Sequence, residues 1–106
     1  TLSLHDALPI FPNFGVYRFE QIELRDVLRV LTVTPYKSYI GHEDTAKIME
    51  KLIGRPIPVN RESLQMLVGD VAIIFKLKSR IPVGVELTES EINQIGYEWG
   101  MLERLS

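Results

Sequence analysis

The run Ile40-Gly41-His42-Glu43-Asp44-Thr45 is the first stretch able to do chemistry. Glu43 and Asp44 come before Lys47 and Lys51, the charge order that a helix dipole prefers, so a helix opens here. A helix start presents backbone N–H groups without intrahelical partners, and these attract anions. A histidine at that point, with an ordinary pKa of about 6.5, can offer a phosphate a titratable proton. A plain helix start needs the same residue types. Asp44 or Thr45 would then cap it, with His42 an exposed bystander.

Two further features carry charge suited to a phosphate-bearing ligand. Asn60-Arg61 follows the double-proline stretch Arg55-Pro56-Ile57-Pro58. Lys76, Lys78 and Arg80 share one strand face by the period of two. Three cations at a strand end either meet phosphate or guard an edge against aggregation. Other chemistries are poorly served. There is no Cys, so no disulfide framework, thiolate zinc site or cysteine nucleophile. Nothing reads as a phosphate-binding Gly-rich loop ending in Lys-Ser/Thr. No acidic cluster has two-metal spacing, so neither a metal nor a cofactor is expected.

Several elements must position these residues. Aromatic and β-branched residues after the Pro12-Asn13 turn predict a strand around residues 15–21. Leu24 through Leu31 have amphipathic helical spacing, stopped by Pro35. Ala46, Ile48, Met49, Leu52 and Ile53 form the apolar face of the second helix, and Gly54 ends it. Alternation predicts a strand over residues 60–68, a hairpin turn at Gly69-Asp70 and a second strand over residues 70–78. The run Val71-Ala72-Ile73-Ile74-Phe75 marks that second strand as central and buried. Thr88-Glu89-Ser90-Glu91 is a capping-box pattern for a third helix ending at Gly96. A last strand covers residues 97–105, with Tyr97, Trp99, Met101 and Glu103 on one face. The order β-α-α-β-β-α-β predicts an α/β fold, a small single-domain mixed sheet flanked by helices.

A chain of 106 residues with 45% apolar and 25% charged residues suits one globular domain. No run approaches the roughly 20 apolar residues that span a bilayer. No membrane contact and a cytoplasmic location are expected. The net charge of −2 hides a gradient: residues 37–80 sum to +3 and residues 81–106 to −4. The acidic last quarter and the lack of a Lys/Arg-rich helix argue against duplex nucleic acid as partner. Thr1 to Ile10 reads TLSLHDALPI, which resembles one frame of a common sequencing adapter. The expectation is a non-native segment over residues 1–10 with no specific function. Residues 11–106 would then be a domain lacking its native first strand. His5 and Asp6 are set aside on that ground, which leaves His42 the sole histidine considered.

An ordered set of motifs then stands out: Ser38 through Ala46, Leu52-Ile53-Gly54, Pro58-Val59-Asn60-Arg61, Gly69-Asp70, Arg80-Ile81-Pro82-Val83-Gly84, and Leu87-Thr88 with Glu91. Together they resemble the viral type III anti-CRISPR ring nucleases and their cellular relatives, over about residues 14–106. The resemblance implies a homodimer of small α/β subunits with cyclic tetra-adenylate bound across the two-fold. It implies phosphodiesterase-type cleavage without metal, in which a ribose 2′-OH attacks the adjacent phosphorus and leaves a 2′,3′-cyclic phosphate. His42 would act as general acid and Arg80 would stabilise phosphate charge. Gly41, Thr45, Asn60, Arg61, Lys78, Pro82 and Gly84 would contact the ligand, and residues 81–87 would close over it. Where the family commonly carries Glu in this last motif, the chain has Val83, which predicts slow turnover. Two other functions fit the residues less well: a cyclic oligoadenylate sponge or sensor that does not cut, and a viral structural or DNA-binding protein.

Overall fold

A computed structural model describes residues 2–6, 14–62, 65–79, 84 and 86–106. Eight elements follow one another: β1 (Leu2–Asp6), β2 (Tyr17–Ile22), α1 (Leu24–Val33), β3 (Tyr36–Ser38), α2 (Glu43–Ile53), β4 (Val71–Leu77), α3 (Glu89–Ile95) and β5 (Tyr97–Arg104). The strands form one mixed sheet in the order β2-β5-β4-β1-β3. β1 runs parallel to both β3 and β4, and β5 runs antiparallel to β4 and β2. The expected small mixed α/β domain is therefore the one observed.

The helices pack on one face of the sheet. Leu4, Ile73, Phe75 and Trp99 project from β1, β4 and β5 into a core shared with Val27, Leu31, Met49, Ile53 and Ile92. The rings of Phe75 and Trp99 lie 4.8 Å apart. Each large apolar side chain taken out of water here stabilises the fold by about 1.5–3 kcal/mol. The sequence cues for the helices hold. Thr88 Oγ1 accepts the N–H of Glu91, and the Glu91 carboxylate accepts the N–H of Thr88, so the capping box starts α3. Gly54 closes α2 at φ 80°, a conformation that costs any residue with a Cβ.

Two expectations are corrected. First, residues 2–6 do not stand outside the domain. They form an interior strand of the sheet, β1 between β4 and β3: Leu4 pairs with Ile73 on one side and Ser38 on the other, and is fully buried. The sheet thus contains a strand before β2, because Leu2 and Leu4 alternate with the small or planar Ser3 and His5, as a strand buried on both faces requires. Second, residues 60–68 form no strand among those described. A single bridge joins Ile40 to Val59. Asn60 Oδ1 accepts the N–H of Glu62, a local bond that competes with extension. β1 and β5 already occupy both sides of β4, so no slot remains for a hairpin partner. The turn itself is present: Asp70 N–H donates to the Leu67 carbonyl, with Gly69 at φ 90°. The three-residue β3 is an element the alternation did not announce.

His5 makes the fold sensitive to acid. It is buried, stacks on Tyr39 at 5.3 Å, and its Nε2 lies 2.8 Å from Ser3 Oγ. Burial pushes its pKa below the ordinary value, and the attraction of Asp6 offsets only part of this. A depressed histidine favours the neutral form when folded. Its contribution is complete above the unfolded value of about 6.5 and is lost as pH falls through the folded value. The urea midpoint of the wild-type protein should therefore drop between about pH 7.5 and 5.5. In the variant His5→Phe, which keeps a ring for the Tyr39 stack, that drop should shrink. An equal drop in both would assign the acid sensitivity to another group.

Candidate functional site

Three parallel strands end at one edge of the sheet: β3 at Ser38, β1 at Asp6 and β4 at Leu77. In open α/β sheets the carboxyl ends of parallel strands are where ligands settle. The chain leaving β3 is pinned there. Tyr39 N–H donates to the Leu4 carbonyl at 2.8 Å, and Ser38 Oγ donates to the Pro58 carbonyl at 2.6 Å. Ile40 is fully buried, and its carbonyl accepts the N–H of Asn60 at 2.9 Å. These bonds set residues 38–41 between β1 and residues 58–61, so α2 must begin at the sheet edge.

His42 is the N-cap residue of α2, in extended backbone conformation, and its side chain makes no capping bond. Nδ1 instead lies 3.1 Å from Asp6 Oδ2. His42 is 57% exposed at its side chain and Asp6 only 14%, so a nearly buried carboxylate holds an accessible ring. An ionised carboxylate can only accept, which assigns the proton on that side to Nδ1. Nε2 is then left, among the described residues, for a ligand. The carboxylate–imidazole pair that orients catalytic histidines elsewhere has this form. Sequence reasoning set Asp6 aside, and the signal that finds it is spatial: it ends β1 beside the start of α2.

The other expected residues divide into three groups. Arg61 Nε donates to the Gly41 carbonyl at 3.0 Å, which brings its guanidinium beside His42, exposed to solvent. A Cβ at Gly41 would meet only Arg61 Cγ, at 3.9 Å, so this side of the backbone is open. Thr45 lies half-buried in the first turn of α2. Asn60 is engaged in the scaffold: Nδ2 donates to the Ser38 carbonyl and Oδ1 accepts from Glu62, so it holds the Arg61 loop against β3. Lys78 is exposed just past β4, with its stem lying against Gly96. Gly84 is exposed at φ 82° and its N–H donates to Asp44 Oδ2 at 3.0 Å. Asp44 thus ties Gly84 to the first turn of α2, a role that its position in the sequence did not show. Arg80, Pro82 and Val83 lie outside the described residues.

These features define a small mixed α/β domain with an accessible histidine, an arginine and a lysine at the carboxyl edge of its parallel strands. The chain belongs to the STIV B116-like family, whose model matches residues 4–99. It is 37% identical over 93 residues to the protein YddF of Bacillus subtilis (strain 168), covering 86% of each chain. It is 28% identical over 101 residues to ORF117 of Acidianus two-tailed virus, covering 92% of this chain and 86% of that one. Its fold matches B116 of Sulfolobus turreted icosahedral virus with a TM-score of 0.79, over 97% of this chain and 98% of that chain, at 22% identity. Its relatives thus include proteins of viruses and of a bacterium. Among the described residues no helix is long and apolar enough to cross a membrane.

Proposed function

We propose that this protein is a ring nuclease that binds and opens cyclic tetra-adenylate without a metal ion, and so switches off or counters type III CRISPR signalling. The observation that carries the proposal is the oriented, accessible His42 at the carboxyl edge of the sheet, its Nδ1 held by Asp6. In this reading a ribose 2′-OH attacks the neighbouring phosphorus, and the bond from phosphorus to the 5′-oxygen breaks. His42, as the imidazolium with both ring nitrogens protonated, gives its Nε2 proton to that departing oxygen; the 2′-OH proton passes to water, and a 2′,3′-cyclic phosphate and a 5′-hydroxyl remain. With the nucleophile carried by the substrate and held in line, the protein need supply only position, a proton and positive charge.

Arg61, bonded to the Gly41 carbonyl, and Lys78, exposed at the end of β4, would meet phosphate oxygens in this reading. Arg80 would add charge to the transferring phosphate and Pro82 would shape the segment that covers it. The Asp44–Gly84 bond supports a covering role, since it holds Gly84 against the first turn of the helix that His42 caps. A ring with two-fold symmetry fits a two-fold dimer, each subunit bringing one His42 to opposite phosphates.

Labelled cyclic tetra-adenylate incubated in EDTA tests the reading. Linear product supports it, a stable uncut complex assigns a sponge or sensor, and no interaction at all points to the other viral roles.

The Val83 position yields a graded prediction. A carboxylate in the covering segment could orient a hydroxyl near the scissile phosphate, and a valine cannot. Val83→Glu should raise the single-turnover rate about tenfold if one hydrogen bond of about 1.4 kcal/mol is gained in the transition state. An unchanged rate at equal salt would mean that this chain assembles its site without that carboxylate.

A further inference from the structure

The ladder between β1 and β3 stops short of the site. Its last pair is Leu4 with Ser38, whereas on the other side β1 stays paired with β4 out to Asp6, opposite Phe75. One more backbone bond, from Tyr39 N–H to the Leu4 carbonyl, completes the β3 side. Beyond it, among the described residues, two side-chain contacts join the end of β1 to the chain leaving β3. The ring of Tyr39 lies on the ring of His5, and His42 Nδ1 lies on Asp6. The other bonds of that turn lead elsewhere: Ile40 and Gly41 are held through their carbonyls to Asn60 and Arg61, not to β1.

The stack is well defined. The two rings are nearly parallel, 7° apart, with centroids 5.3 Å from each other, the offset arrangement that aromatic rings prefer. Each partner is also fixed from its own side. His5 is buried, with Nε2 2.8 Å from Ser3 Oγ. Over the Tyr39 ring stands the Lys37 ammonium, 5.3 Å from the centroid, and Glu62 holds that ammonium at 3.2 Å. Ser3 pairs with Lys37 in the parallel register, so this row stands on the sheet face opposite Leu4 and the helices. His42 has less support of its own. It is the N-cap of α2 without a side-chain capping bond, and its ring is more exposed than buried. The orientation of that ring therefore depends on how the turn is placed against Asp6.

We infer that Tyr39 is a positioning residue for His42: its ring, seated on His5, locks the turn from Tyr39 to His42 against the end of β1 and so keeps Nδ1 on Asp6. The inference deepens the ring-nuclease reading and rests on it only for its kinetic consequence. With the stack in place, the Nδ1 proton belongs to Asp6 and Nε2 is the nitrogen left to hand a proton to the departing oxygen. Without it, one backbone bond ties the turn to β1, and the imidazole loses its fixed tautomer and direction. Tyr39 acts through His42 and not on the reacting atoms.

Nitrogen-15-labelled histidine tests this in the free protein, which has only His5 and His42 to assign. At about pH 8.5, well above the ordinary imidazole value, proton–nitrogen correlations report which ring nitrogen carries the hydrogen. Wild-type His42 should be in the Nδ1–H form. Tyr39→Leu, in protein with a folded amide spectrum, should lose that preference and show both tautomers. Tyr39→Phe keeps the stacked ring and should restore it. A second pair decides the matter even where Tyr39→Leu fails to fold: His5→Ala should lose the preference and His5→Phe should keep it. In ring opening, Tyr39→Leu should lower kcat by up to about 10²-fold with KM little changed, the signature of a misplaced reacting group. An Nδ1–H form retained in Tyr39→Leu or His5→Ala, or a loss that neither phenylalanine variant restores, would overturn the assignment. The spectra need no nucleotide, so a protein that never opens the ring would sink the proposed function and leave this result standing.

Discussion

His42→Ala should slow cleavage of cyclic tetra-adenylate by about 10²–10⁴-fold, the range that a positioned general acid contributes. Ring affinity should change little. The imidazole is 57% exposed and held by Asp6, so its removal opens no core cavity and leaves Arg61 and Lys78 in place. An interaction made only in the transition state lowers kcat and kcat/KM together, and that is the expected signature. Arg80→Ala should differ by weakening both binding and rate, because a cation near phosphate acts in the ground state too. Single-turnover rates with equilibrium binding, run on both variants, separate the two patterns. An unchanged rate for His42→Ala would remove the assigned acid.

The second large effect concerns stability. Leu4→Ala should cost about 2–5 kcal/mol, the usual penalty for truncating a fully buried leucine. Leu4 lies on an interior strand between Ile73 and Ser38, where its neighbours are fixed by ladders on both sides and cannot collapse inward. If residues 1–10 were instead a dispensable extension, the same change would move the urea midpoint hardly at all. Chemical denaturation of the two proteins at one pH decides between these outcomes.

Much of this architecture is legible in the residues because local chemistry and tertiary need agree. Val71 to Phe75 read as a buried strand since nearly every residue is apolar, and β4 is indeed central. Thr88 and Glu91 can satisfy each other's backbone whatever surrounds them, so α3 begins where the capping pattern places it. The α2 start is legible from charge order instead, with Glu43 and Asp44 in the first turn and Lys51 in the last. What remained hidden depends on partners distant in sequence. Alternating residues over 60–68 suit a strand, yet Asn60 bonds locally and the sides of β4 are taken. β3 is too short to leave a periodic signal and exists because β1 offers it an edge.

The site divides along the same line. His42 and Arg61 are found from their types and motif context, and the fold brings them together through Gly41. Asp6 is invisible from spacing, being 36 residues from His42, and the compositional oddity of the first ten residues argued for discarding it. Asp44 reads as a helix-start residue, and only its bond to the Gly84 N–H reveals a second, long-range partner. Asn60 moves the other way, from expected ligand contact to a brace for the loop that carries Arg61.

The central claim is that this chain opens a cyclic adenylate ring using the ring's own hydroxyl and a proton from His42. The most direct measurement is end-group analysis of labelled cyclic tetra-adenylate after incubation with the wild-type protein in EDTA. The account predicts linear product bearing a 2′,3′-cyclic phosphate, formed without any added divalent ion. A ring that stays intact in EDTA and is cut only when a divalent ion is restored, or one never cut at all, would contradict it.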